Sequence, residues 1–187
     1  MSSCMGRKYK IHSQEEFYFV TFTVVHWIDV FIREEYRNIF LDSLRYCQRE
    51  KGLLVGAWCI MSSHIHLALG VKEGYKLEDV IRDLKSYTSR HIRKYMENNP
   101  HESRKEWILQ MMKRAGEQKS NNKDFQFWQQ HNHPIELSTN EILDQRINYI
   151  HQNPVEAGFV EQASDWLYSS ARDYEGEKGL IEIYFLD

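Results

Sequence analysis

Cysteine is scarce in this chain of 187 residues: Cys4, Cys47 and Cys59 are scattered, with no CxxC pair among them. Neither a disulfide framework nor a thiolate zinc site is expected, and buried, inert thiols are. Long apolar runs are missing too. No stretch approaches the length of uncharged apolar chain that a membrane span requires. Met1 to Lys10 has no apolar region of the kind a secretory signal needs, so a cytoplasmic protein is expected. There is no glycine-rich phosphate loop and no internal repeat. Net charge is small, −3, which by itself argues weakly against a nucleic-acid partner. Its distribution says more. From Glu156 to Asp187 eight acidic residues face two basic ones, a net of −6, which leaves +3 for the preceding body. A local groove there can still attract phosphate.

Composition is that of a globular protein, with 42% hydrophobic and 27% charged residues. The expectation is a single domain over 1–187, with an insertion at 101–124 and an acidic tail at 156–187. The run Phe17 to Val25, FYFVTFTVV, reads as a strand. Tyr36, Phe40, Leu44 and Cys47 recur at helical spacing between about Arg33 and Lys51, and Gly52 is placed to end that helix. Leu53–Ile60 and His64–Val71 read as strands joined by a tight connection at Met61, Ser62 and Ser63. From about Leu77 to Glu97, Val80, Ile81, Leu84, Tyr87, His91 and Tyr95 predict a second amphipathic helix. The polar segment 101–124 holds one apolar patch, Trp107 to Met112, on a possible short helix, and Lys119 to Lys123 reads as a loop, so the segment is expected to be mobile and to offer few core residues. A further strand is expected within Phe125 to Leu137. Ser138-Thr139-Asn140-Glu141 has the form of a capping box with Ser138 capping, opening a helix that Asn153-Pro154 ends. This order predicts an α+β fold: an antiparallel, ferredoxin-like sheet with helices mainly on one face.

Two short stretches carry chemistry. In a strand, alternate residues share a face, so Ile65, Leu67, Leu69 and Val71 form one apolar set and His64, His66, Ala68 and Gly70 the other. Imidazoles two residues apart on one strand can converge on a cation, and the small residues beside them predict an open concavity. On the last helix Leu143, Ile147 and Ile150 make the buried stripe, while Ile142, Arg146, Tyr149 and Asn153 line the adjoining face. A tyrosine there keeps its ring packed and its hydroxyl free.

Three segments, VGAWCIMSSHIHLAL, INYIHQNPVEAGFV and DWLYSSARDY, resemble landmarks of the single-tyrosine HUH transposases, above all the REP-associated tyrosine transposases. The resemblance covers about residues 17–97 and 125–175, and the block YIHQNPVEAG is its most specific part. It implies an HUH motif at His64, Ile65 and His66 on a central strand, with Tyr149 on a downstream helix and Asn153 four residues later. Ser62 and Ser63 stand where many relatives have proline followed by asparagine or aspartate, and 101–124 is longer than the usual connection.

By that resemblance Tyr149 is the nucleophile. His64, His66 and the Asn153 oxygen hold a divalent cation, Mg²⁺ or Mn²⁺, and single-stranded or hairpin DNA is cleaved through a 5′-phosphotyrosine that a 3′-hydroxyl later reseals. A homodimer is implied as well. Arg82, Lys85, Arg90, Arg93 and Lys94 on the second helix are candidate DNA-binding residues, an ordinary solvated face being the other account of them. Trp128, His131 and His133 are candidates for base stacking or phosphate contacts, with packing an equal account of Trp128. The alternatives are a water-using metal phosphodiesterase with a structural Tyr149 and a domesticated DNA-binding protein.

Overall fold

The computed structural model describes residues 11–118 and 125–186; Cys4 and the loop read at Lys119 to Lys123 lie outside them. The chain runs β1 (Tyr18–Thr23), α1 (Glu34–Glu50), β2 (Leu53–Ile60), β3 (His64–Val71), α2 (Leu77–Asn98), α3 (Lys105–Glu117), β4 (Ile135–Glu136), α4 (Asn140–Glu156) and α5 (Ala171–Tyr174). The four strands form an antiparallel sheet in the order β2-β3-β1-β4, the ferredoxin-like arrangement. β3 is thus central, with His66 opposite Thr21 of β1 and Cys59 of β2.

Alternation along the strands divides the interior in two. Val20, Phe22, Trp58, Ile65, Leu67 and Leu69 join the larger core with Phe40 and Leu44 of α1 and with Leu84, Ile92 and Met96 of α2. Phe19, Ala57, Cys59 and Ala68 face the other way, against Leu143 and Ile150 of α4. Ala68 is fully buried, and a Cβ on Gly70 would meet the Phe17 ring at 2.7 Å. The expected concavity along the small residues is therefore filled. Small side chains there let α4 and Phe17 approach the sheet.

Helix ends depart from expectation in instructive ways. Gly52 stops α1 as read, in the left-handed region at φ 61. The cap of α4 is Thr139, not Ser138: its hydroxyl accepts from the Ile142 amide at 3.3 Å. Pro154 lies inside α4 instead of ending it, because in the last turn its missing N–H removes only one bond, and Gly158 at φ 73 closes the helix. In α2 the buried stripe is Leu77, Val80, Ile81, Leu84, Thr88, Ile92 and Met96, while Tyr87, His91 and Tyr95 are exposed and Tyr87 stacks on His91.

α3 is a formed helix, and it reaches the core: Ile108 and Met112 are fully buried, while Trp107 is 50% exposed. Ile108→Ala should therefore cost about 2–5 kcal/mol of stability and Trp107→Ala no more than about 1 kcal/mol, as read by urea denaturation. Equal, small losses would make α3 an appendage. Among the described residues no helix is long and apolar enough to cross a membrane.

Candidate active site

β3 and α4 bring the sequence-predicted pair and tyrosine together. The His64 and His66 rings lie 4.7 Å apart between centroids, and the Tyr149 ring lies 5.1 Å from that of His66. Phe19 stacks on His66 at 5.5 Å and meets Tyr149 edge-on at 5.9 Å, so one aromatic side chain of β1 sets the spacing of both. Tyr149 is 38% exposed, its ring packed and its edge reaching the surface.

Each imidazole is oriented through Nδ1. The Thr21 hydroxyl lies 2.9 Å from Nδ1 of His66, a direct result of their register, and the Ser63 hydroxyl lies 3.2 Å from Nδ1 of His64. With Nδ1–H donated to a hydroxyl, Nε2 is left as a lone-pair donor. Nε2 of His66 is buried without a hydrogen-bond partner among the described residues. Burial also holds both rings neutral: it lowers the pKa of His64, against a hydrogen bond with the Asn153 side chain, and pushes that of His66 down to about 3, helped by the neighbouring His64. Two neutral imidazoles beside an amide form a nitrogen and oxygen donor set that suits a divalent cation with open positions, Mn²⁺ well and Mg²⁺ more weakly. A buried ring nitrogen aimed at nothing is otherwise a cost without return. No cluster of three or more His, Cys, Asp or Glu side chains accompanies the pair among the described residues.

Helical spacing puts Arg146 on the Tyr149 flank but assigns it no role, and sequence patterns gave no sign of Trp27 or His151 as neighbours. Arg146, one turn before Tyr149, lays its guanidinium 5.3 Å from the Phe19 centroid with its Nε buried and unpartnered. Trp27 stands 5.4 Å from His64. His151 points the other way along α4 and is buried, its Nε2 2.8 Å from the Ser170 hydroxyl, which also accepts from the Trp58 amide at 2.9 Å. The segment around Ser170 runs beside β2, with Ile60 donating to the Tyr168 carbonyl and Ser170 to that of Trp58, both at 2.9 Å. His151 thus ties α4 to the strand next to β3.

Burial pushes the His151 pKa down to about 4 from its ordinary 6.5. Because the folded value is the lower one, the unfolded chain takes up its proton first, so this contribution to stability is complete above pH 6.5 and is lost as pH falls toward 4. The loss should reach about 3 kcal/mol over that window. His151→Gln should flatten that part of the pH–stability profile, and an unchanged profile would mean that His151 is not held neutral.

The other candidates do not join the cleft. Trp128 is a core residue, 5% exposed, stacked on Phe31 and donating to the Thr88 hydroxyl at 3.1 Å, so it offers no face to a base. Lys85 is tied inward, to the Gln129 carbonyl at 2.9 Å and to Asn132. Arg82 is paired with Asp79 and Asp83, and Arg93 with Glu97. All of α2 packs on the face of the sheet opposite the imidazoles, where Arg90 and Lys94 line a groove with Arg45 and Arg49 of α1. His131 and His133 are exposed beside β1, where Thr21 donates to the Asn132 carbonyl at 3.2 Å, one strand away from His66.

Residues 18–153 match the family described as IS200-like transposases. Among solved structures, a REP-associated tyrosine transposase bound to a REP hairpin superposes with a TM-score of 0.66 at 16% identity, covering 98% of this chain and 94% of that one. A protein described as a transposase from Deinococcus radiodurans R1 gives a TM-score of 0.44 at 20% identity, covering 82% of this chain and 97% of that one. No curated protein sequence matches.

Proposed function

Because the chain belongs to the IS200-like transposase family, we propose that it cleaves and rejoins single-stranded or hairpin DNA with Tyr149 as nucleophile. The observation that carries this reading is the meeting of Tyr149 with His66, and of His66 with His64, within one chain, ring centroids 5.1 and 4.7 Å apart respectively. His64, His66 and the Asn153 side-chain oxygen would hold Mg²⁺ or Mn²⁺. When bound, such a cation supplies Lewis-acid polarisation of the scissile phosphate.

The protein groups divide the remaining work. The Tyr149 oxygen attacks phosphorus in line, forming an O–P bond as the bond from phosphorus to the 3′ oxygen breaks. The phenol gives up its proton and the departing 3′ oxygen takes one, leaving a 5′-phosphotyrosine and a 3′-hydroxyl. Resealing runs the exchange backwards with another strand's 3′-hydroxyl, and the phosphodiester energy is conserved without a nucleotide cofactor. Arg146 carries a buried, unpartnered Nε beside Phe19, and a non-bridging phosphate oxygen is the acceptor it fits. Phosphates away from the break fall to the cationic groove between α1 and α2, with Arg90 and Lys94 contributing charge and no sequence information. The hairpin carried by the REP-associated structure supports a hairpin substrate for this chain; a homodimer rests on the sequence resemblance alone.

The test is covalent trapping. With Mn²⁺ and a hairpin-bearing oligonucleotide, wild type should form an adduct that survives denaturant and retains label placed 3′ of the break. A phosphodiesterase using water would cut and leave no adduct. A non-catalytic DNA-binding protein would do neither.

A further inference from the structure

β1 ends at Thr23, and the chain then turns through Val25–Trp27 with His26 and Trp27 both at φ 56. Two successive non-glycine residues in the left-handed region are strained, and a bulky one is an outlier. Burial of flanking residues enforces the turn, since Val25 and Ile28 are each only 4% exposed. Backbone bonds pin it to the β2–β3 connection: Val24 donates to the Ser63 carbonyl at 2.9 Å and Phe31 to that of Ser62 at 2.8 Å. The strain gives the indole no shelter, because Trp27 is 60% exposed. What it achieves is position. Trp27 is held 5.4 Å from the His64 ring by the same connection that leads into His64.

We propose that Trp27 is a nucleobase platform, on which the unpaired base next to the scissile phosphate stacks. This rests on the function proposed above. A rigid exposed indole beside a phosphate-handling pair suits the flat π-face that every base carries, and stacking of this kind tolerates sequence. A base fixed there fixes the sugar-phosphate next to it, so Trp27 contributes to binding and register while the chemistry stays with its neighbours.

The test varies the DNA as well as the protein. Single strands carrying 2-aminopurine at successive positions around the break are bound in EDTA, where cleavage does not intervene. One flanking position should be quenched by wild type, and the quench should be lost in Trp27→Ala and kept in Trp27→Phe. In cleavage assays Trp27→Ala should raise KM about tenfold with kcat changed less than about threefold. An abasic site at the quenched position should cause the same loss in wild type, and no further loss in Trp27→Ala, the non-additivity of two halves of one contact. Equal abasic losses in both proteins, or a KM unmoved in Trp27→Ala, would overturn the platform. The abasic series in wild type and Trp27→Phe keeps the test decisive if the alanine variant folds poorly. A wild type that quenches but never cleaves would sink the nuclease reading alone, whereas one that cleaves without quenching at any position would sink the platform alone.

Discussion

Tyr149→Phe should abolish DNA cleavage, by a factor on the order of a thousand or more, while leaving the fold almost untouched. The substitution removes one oxygen. The ring keeps its edge contacts with Phe19 and His66, at 5.9 and 5.1 Å, and the phenol oxygen engages no protein group among the described residues. Stability should therefore change by no more than about 0.5 kcal/mol. Affinity for single-stranded DNA should hold, since phosphate contacts and stacking do not use the hydroxyl. The measurement is cleavage of a labelled hairpin oligonucleotide in Mn²⁺, with adducts scored on a denaturing gel and folding checked by thermal denaturation. If the phenylalanine variant cuts as fast as wild type, Tyr149 is a packing residue and transesterification is wrong, although the family assignment stands.

Much of this site was legible in the linear sequence, and the parts that were share one property: they depend on neighbours along the chain. The bounds of β2 and β3 follow from apolar runs closed by glycine and by a short polar connection. The shared face of His64 and His66 follows from strand alternation, and the shared flank of Arg146, Tyr149 and Asn153 from helical spacing. What the sequence could not disclose depends on which layer covers which face. Trp128 and Trp27 are the same residue type in similar aromatic surroundings. One is sealed between Phe31 and Thr88, and the other stands in solvent beside His64. Likewise Tyr87 and Tyr95 fall at helical spacing with Val80 and Leu84, yet the sheet meets α2 along Thr88, Ile92 and Met96. The cations of α2 share a helix in the sequence, but only topology sets them across the sheet from the imidazoles, away from Tyr149. His151 had no pattern at all, because its partner Ser170 lies in a segment that returns to β2 only after α4 is complete.

His66→Ala should abolish cleavage by a different route, and the route is measurable without DNA. His66 is the more buried of the pair, 4% exposed, with Nδ1 held by Thr21 and Nε2 without a hydrogen-bond partner among the described residues. If that nitrogen is a ligand, Mn²⁺ stabilises the folded state by mass action. A hundredfold excess over the dissociation constant is worth about 2.7 kcal/mol, or a rise in Tm of roughly 5–10 °C for a domain of this size. His66→Ala should lose that rise. Without metal the variant pays for a cavity beside Phe19 and for an unanswered Thr21 hydroxyl, so its own Tm falls and only the metal-dependent increment is diagnostic. DNA affinity in EDTA should change less than about threefold, because phosphate contacts elsewhere do not need the imidazole. Thr21→Val separates orientation from ligation. It keeps both imidazoles and removes only the hydroxyl at Nδ1, so the Mn²⁺ increment should shrink by about tenfold or more in affinity and still persist at higher metal. Full Mn²⁺ stabilisation in His66→Ala would mean that the cation binds elsewhere, and that the buried ring nitrogen has some other partner.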